Sequence, residues 1–166
     1  MADTIDVHIE QRAGGQLWLR YHVDCDLAAI ELPDPVEDPV REDGLWQTTC
    51  FELFLRDLET DEYLEFNFSP SRKWAAYRFD DYRQGMRVWP LETPELWLDM
   101  SDTHVALEVT LSLTGIVTEN TRAGLSAVIH EQGDVKSYWA LRHPPGQPDF
   151  HHRDCFALNL APTDVP

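Results

Sequence analysis

The chain has 166 residues and carries 13 Lys and Arg against 30 Asp and Glu, a net charge of -17. Over most of its surface such a balance repels a phosphate backbone or an anionic bilayer, so nucleic acid and membrane are excluded as partners. Hydrophobic residues make up 43%, enough to bury the core of a single domain spanning 1–166, while no apolar run approaches the length of a bilayer span.

The N-terminal stretch MADTIDVHIEQRAGG has neither a basic start nor an apolar run of signal-peptide length, and a cytoplasmic protein is expected. Its IDVHI segment is the first candidate strand, and LWLRYHV (17–23) is the second, apolar at alternate positions. PDPVEDPVREDG (33–44) is proline-rich and acidic and reads as a long surface loop. CFELFL (50–55), YLEFNF (63–68) and WAAYRF (74–79) resume the alternation. FDDYRQGMRVWP (79–90) fits either a loop over a site, with Tyr82, Arg83 and Trp89 reaching a ligand, or an edge strand capping the core. LWLDM, HVALEVTLSL (104–113), LSAVIH, SYWAL and CFALNL complete the series, and the tail APTDVP is expected to fray. Trp18 and Trp97 fall in alternating strands and read as structural. Many short strands between turn residues, without an amphipathic helix, predict an all-β fold, a single-domain antiparallel sandwich of jelly-roll type.

Cys25, Cys50 and Cys155 lie far apart with no CxxC pair, so they read as buried thiols rather than a disulfide framework or zinc cluster. PDFHHRD (148–154) offers histidines and aspartates, but adjacent His151 and His152 point apart in extended chain and leave two ligands per ion. The preferred reading is a loop in which Phe150 plugs the sandwich and the polar groups bond to backbone. The acidic stretches ETDE and EDG could lend oxygens to calcium, yet no spaced EF-hand pattern is present, and no metal or other cofactor is assigned.

Strand pairing decides what shares a face. The core set Phe51, Leu53 and Leu55 must pair in parity with Leu64, Phe66 and Phe68. Two registers satisfy this: Arg56 opposite Asp61, or Asp57 opposite Glu62, a like-charge pair. The first is favoured, and it sets Glu52 opposite Glu65. Matching Leu64, Phe66 and Phe68 with Ala75, Tyr77 and Phe79 then puts Arg78 opposite Glu65. Phe54, Tyr63, Asn67 and Trp74 stand around this row, and Trp46 joins it if the strand extends back through GLWQTT. Sugars suit a face of this kind, because their C–H surfaces stack on aromatic rings while carboxylates, amides and guanidinium groups take the hydroxyls. Opposed glutamates also have a spacing compatible with a retaining glycosidase. No Ser-His-Asp order, nucleophile elbow or phosphate loop accompanies them, and the chain is read as non-catalytic.

GLWQTTCFELFL, YLEFNFSPSRKWAAYRFDDYRQGM and SYWALRHPPGQPDFHHRDCFALNL, in order over 44–160, resemble the DOMON-like group related to family 9 carbohydrate-binding modules. The resemblance implies a jelly-roll sandwich in which two tryptophans clamp a terminal sugar ring and Glu, Arg and amide groups bind its hydroxyls. Carried over, Trp46 with Glu52 resembles the first half of that site, Arg78 supplies the guanidinium, and Trp139 is the candidate second tryptophan. DOMON relatives also include haem-binding domains with Met and His axial ligands, for which Met86 or Met100 would have to face His130 or His143; no CxxCH motif is present. The expected function is non-catalytic binding of a small carbohydrate or polyol by Trp46, Glu52, Glu65, Asn67, Arg78 and Trp139. A protein partner covering the same face is the alternative, and haem ranks below both.

Overall fold

The computed structural model describes residues 1–160, and the tail APTDVP lies outside the described residues. It contains strands β1 (Ala2–Arg12), β2 (Gln16–Cys25), β3 (Val40–Arg41), β4 (Cys50–Asp57), β5 (Tyr63–Phe68), β6 (Lys73–Phe79), β7 (Arg87–Val88), β8 (Glu95–Ser101), β9 (His104–Ser112), β10 (Thr121–Glu131), β11 (Val135–Ala140) and β12 (Leu158–Asn159). Among the described residues the helical elements are short 3₁₀ turns. The alternating apolar pattern therefore produced strands throughout, as an all-β chain requires.

The strands form two sheets that face each other as a sandwich. The smaller is ordered β1-β2-β9-β8, and the larger runs β11-β10-β4-β5-β6-β3, with β12 beside β10 and β7 beside β6. Pairing is antiparallel except between β3 and β6, which run parallel. Leu17, Leu19, Tyr21 and Val23 of β2 and Val105, Leu107, Val109 and Leu111 of β9 meet Phe51, Leu53, Leu55 and Phe66 in one core. Burying each such side chain stabilises by roughly 1.5–3 kcal/mol relative to exposure. Tyr21 also stacks on Phe51 at 5.0 Å and donates its hydroxyl to the Glu52 carbonyl at 2.9 Å, a polar tie between the sheets.

The larger sheet is covered on its other face as well. Phe54, Tyr63, Tyr77, Phe79, Phe150 and Phe156 belong to a second apolar cluster there, and every residue of β5 is buried. What covers this face is the connection between β6 and β7 together with the segment leading to β12. Close approach of that segment explains Gly124: a Cβ on it would lie 3.1 Å from the Cys155 carbonyl oxygen and 3.5 Å from Cβ of Phe54. CFALNL is strand only at Leu158–Asn159, because Cys155 lies in a 3₁₀ turn, where Asp154 N–H donates to His152 Nδ1. Cys25, Cys50 and Cys155 are free and buried.

Both expected hairpin registers are corrected. Across β4 and β5, Arg56 faces Tyr63, Phe54 faces Glu65 and Glu52 faces Asn67, so the two glutamates are diagonal neighbours rather than opposed. This is the register set aside for its like-charge closure, and the structure removes that cost. Asp57 turns away to accept from Glu59 N–H and Thr118 Oγ1, at 2.9 and 2.8 Å. Glu62 pairs with Arg78 and lies 3.8 Å from Arg87. Across β5 and β6, Phe68 faces Trp74 and Glu65 faces Tyr77, a slip of one residue from the expected pairing. The connection 69–73 has an odd number of residues, held by Ser69 N–H to the Lys73 carbonyl at 2.9 Å and by Arg72 in the left-handed region at φ 67. A one-residue slip exchanges the faces of a whole strand.

Candidate functional site

That exchange determines which side chains meet. Over the outer face of the larger sheet lies a cleft of about 850 Å³, whose lining includes Trp46, Glu52, Glu65, Tyr77, Tyr138 and His151. Glu52 and Glu65 come from β4 and β5 and form its floor, 3% and 7% exposed. Trp46, on a 3₁₀ turn rather than an extended strand, stands at the mouth and is 55% exposed. Tyr138 comes from β11 and is also exposed. Arg83, Asp149 and His151 arrive on the two covering segments.

The floor is hydrogen-bonded but poor in cations. Ser126 Oγ donates to Glu52 Oε2 at 3.0 Å, and Asn67 Nδ2 donates to Glu65 Oε1 at 2.8 Å. Burial pushes the Glu52 carboxyl up to about 8, with the neighbouring Glu65 charge acting in the same direction. Glu65 is also raised, chiefly by burial, although the Asn67 hydrogen bond opposes this. Taking a carboxylate out of water disfavours its charged form, and a second carboxylate nearby adds to that. One proton held on the pair relieves both effects, so Glu52 is a hydrogen-bond donor as well as an acceptor near neutral pH.

His151 occupies the position that sequence reading left unassigned. Its ring stands edge-on to Phe54, Tyr63 and Phe79 at 5.2–5.7 Å. Tyr63 Oη accepts the Arg83 backbone N–H at 3.1 Å and is hydrogen-bonded to His151 Nδ1 at 2.8 Å. With the phenol as donor, Nε2 carries the ring proton, and that nitrogen lies 3.7 Å from Glu65 Oε2. Burial lowers His151 to about 4, helped by the Arg83 charge, so the imidazole is neutral at pH 7. Arg83 Nη2 binds Asp149 Oδ1 at 2.7 Å, and Tyr82 donates to the other oxygen at 2.5 Å. Although burial acts against it, these two hydrogen bonds hold the Asp149 carboxyl below its ordinary value.

Of the six residues expected at the site, Trp46, Glu52 and Glu65 line the cleft, and Asn67 lies buried beneath it, bonded to Glu65. Arg78 and Trp139 are elsewhere. Arg78 shares the face of Leu64, stacks over Trp89 at 5.5 Å and pairs with Glu62, because the odd connection reversed the parity of β6. Trp74 moves with it into the core between the sheets. Trp139 faces Ala127 and packs against that same core, which leaves its neighbour Tyr138, opposite Val128, on the cleft side. Of the loop residues considered, Arg83 reaches the cleft while Trp89 packs on the core. Trp97 is 70% exposed on β8 of the smaller sheet, not the packed residue its alternation indicated.

The expectation for PDFHHRD holds in part: Asp149 Oδ1 accepts from His151 N–H and His152 Nδ1 from Asp154 N–H, both at 3.2 Å, but the His151 ring bonds to the Tyr63 hydroxyl, and Phe150 is buried in the outer cluster rather than between the sheets. The separation of the His151 and His152 directions was the usable signal, since it sends one ring inward. Among the described residues, no group of three or more His, Cys, Asp and Glu is arranged to hold a metal ion. The methionines considered for haem are divided, Met86 at the cleft and Met100 on β8, while His130 is engaged with Asp134 at 3.0 Å.

No family model matches the chain, and no curated protein matches its sequence. A solved structure matches the fold: a proposed carbohydrate-binding protein of Bacteroides uniformis, with a TM-score of 0.56 at 13% identity, over 89% of this chain and 73% of that one. At this identity the likeness is one of architecture. The chain thus has a two-sheet β-sandwich of the kind found in that neighbour, and the match does not single out the DOMON or family 9 groups.

Proposed function

We propose that the protein binds a small carbohydrate or polyol, without catalysis, in the cleft over the larger sheet. The observation that carries this reading is the combination of a buried carboxylate floor with aromatic side chains above it, Trp46 and Tyr138 being exposed at the mouth. Carboxylates that accept, and a protonated Glu52 that donates, match hydroxyls of either sense. The aromatic rings offer flat apolar area for the C–H face of a ring. The neighbouring fold, described for a proposed carbohydrate-binding protein, supports a sugar ligand, and the DOMON and family 9 resemblance is a narrower proposal of the same kind. Tyr138 takes the place proposed for Trp139 as second stacking residue.

A protein partner on this face is the second reading, favoured by exposed Met86 and Val88 at the rim. The concave shape and charged floor favour a small ligand, since protein-binding patches are flatter and depleted of charge at their centre. The test is a thermal-shift and calorimetric screen of mono- and disaccharides and polyols against the intact protein and Trp46→Ala. A melting temperature that climbs with sugar concentration and no longer does so in Trp46→Ala is the expected result. Absence of a shift with every sugar and polyol defeats the reading.

A further inference from the structure

Charges around the cleft leave a deficit at its floor. Asp149 is matched by Arg83 at 2.7 Å, and Arg87 is taken by Asp80 at 2.6 Å. Asp43 accepts the Tyr77 hydroxyl at 2.6 Å. Arg78, the guanidinium that sequence parity would place here, lies on the opposite face with Glu62. Glu52 and Glu65 hydrogen-bond to Ser126 and Asn67 and stand beside a neutral His151, while the Arg83 charge, bound to Asp149, only partly offsets their burial.

Glu52 is 3% exposed and borders the cleft, its Oε2 accepting from Ser126 Oγ at 3.0 Å. Asn67, opposite Glu52 in the neighbouring strand, has its Oδ1 buried without a partner. Buried carboxylates are ordinarily paired with a cation or saturated with donors, because an unmatched buried charge costs several kcal/mol. Here the two buried carboxylates border a cavity large enough for a ligand, and the unpartnered Asn67 Oδ1 lies next to them. The walls include the aromatic residues Trp46, Tyr77, Phe79, Tyr138 and Phe150, a residue type whose π-systems attract organic cations. A metal ion is disfavoured by the same walls, and among the described residues no group of three or more His, Cys, Asp and Glu is arranged to hold one, His151 beside Glu65 included.

We propose that the ligand carries a primary amine whose ammonium group seats on Glu52 and Glu65, so that the cleft takes an amino sugar or aminated polyol in preference to its neutral counterpart. This rests on the carbohydrate reading above and narrows its ligand class. The ammonium supplies three donors to a floor rich in acceptors, while the ring stacks at the mouth. Its charge replaces the proton that the empty pair holds. The excess of 30 acidic over 13 basic residues in the chain adds a long-range attraction for such a ligand.

The test is isothermal titration at one pH and ionic strength with matched pairs, glucose against glucosamine and galactose against galactosamine, and with 1,5-diaminopentane as a cation without a ring. The amino sugar of at least one pair should bind about tenfold more tightly than its neutral partner, as one charge-assisted contact allows. In Glu52→Gln and in Glu65→Gln, each checked for native circular dichroism, that preference should fall to about threefold or less while the neutral sugar changes less. Neutral sugars binding as tightly as the amino sugars would overturn the amine seat and leave the carbohydrate reading standing. Diamine binding without sugar binding would support the seat and overturn the carbohydrate reading. Silence from all five compounds overturns both.

Discussion

Glu52 and His151 sit in one polar group yet respond to pH in opposite senses. The Glu52 pKa in the folded protein is raised from 4.5 to about 8; its contribution to stability is complete below the unfolded value and is lost as pH rises through the folded one. His151 is lowered from 6.5 to about 4, so its contribution is present above the unfolded value and is lost as pH falls toward the folded one. Glu52→Gln removes the first effect and keeps the second. Urea titrations of the two proteins should converge near pH 4 and separate as pH rises, the variant being more stable at pH 8.5 by roughly 2–4 kcal/mol. Parallel stability curves would show that Glu52 does not titrate with folding. Tyr63→Phe tests the other end of the network, since the hydroxyl serves both Arg83 N–H and His151 Nδ1. Its loss leaves buried groups unmatched and should lower stability by about 1–3 kcal/mol. A smaller change in denaturation midpoint, with an unshifted His151 titration by NMR, would remove Tyr63 from the network.

Parity is the decisive property of the strands. Tyr138 and Trp139 are adjacent in β11 and project to opposite faces, one to the cleft and the other to the core. Trp139→Ala should therefore cost about 2–4 kcal/mol of stability, as expected for a packed aromatic residue, while sugar affinity stays near the parent value. Trp46→Ala should do the reverse: a stability change within about 0.5 kcal/mol, as at other exposed positions, and loss of binding. Paired thermal melts and titrations separate the two, and equal destabilisation by both substitutions would contradict the placement. The same parity accounts for Arg78. Its charge is spent on Glu62 at the hairpin base, where it makes tolerable the register in which Asp57 and Glu62 close the turn.

At the scale of the molecule, acidity is the dominant feature, with 30 acidic residues against 13 basic. Self-repulsion opposes the compact state and is screened by salt. Raising sodium chloride from about 20 mM to about 0.5 M, across which the Debye length shortens severalfold, should raise the melting temperature. A fall across that range would mean that the ion pairs at the surface outweigh the repulsion. The sandwich itself, with both faces of its larger sheet covered, keeps the floor glutamates away from bulk water while the mouth stays open at Trp46 and Tyr138.

The amino-acid sequence by itself determined the all-β sandwich, the strand positions of β2, β4, β5, β6 and β9, and the presence of Glu52, Glu65 and Asn67 on one face, because the period-two alternation is a local property of the chain. It did not determine which residues complete that face. In β5 and β6 both faces are apolar, so hydrophobicity no longer distinguishes inside from outside, and the length and hydrogen bonding of the connection 69–73 set the parity. His151 was out of reach for a different reason: its contacts with Tyr63 and Glu65 span segments far apart in the chain, and only folding the segment before β12 over the larger sheet brings them together. Tertiary structure thus decided that Arg78 and Trp139 lie away from the cleft, that Tyr138 and His151 line it, and that its nearby guanidinium, Arg83, is bound to Asp149 rather than to the buried carboxylates.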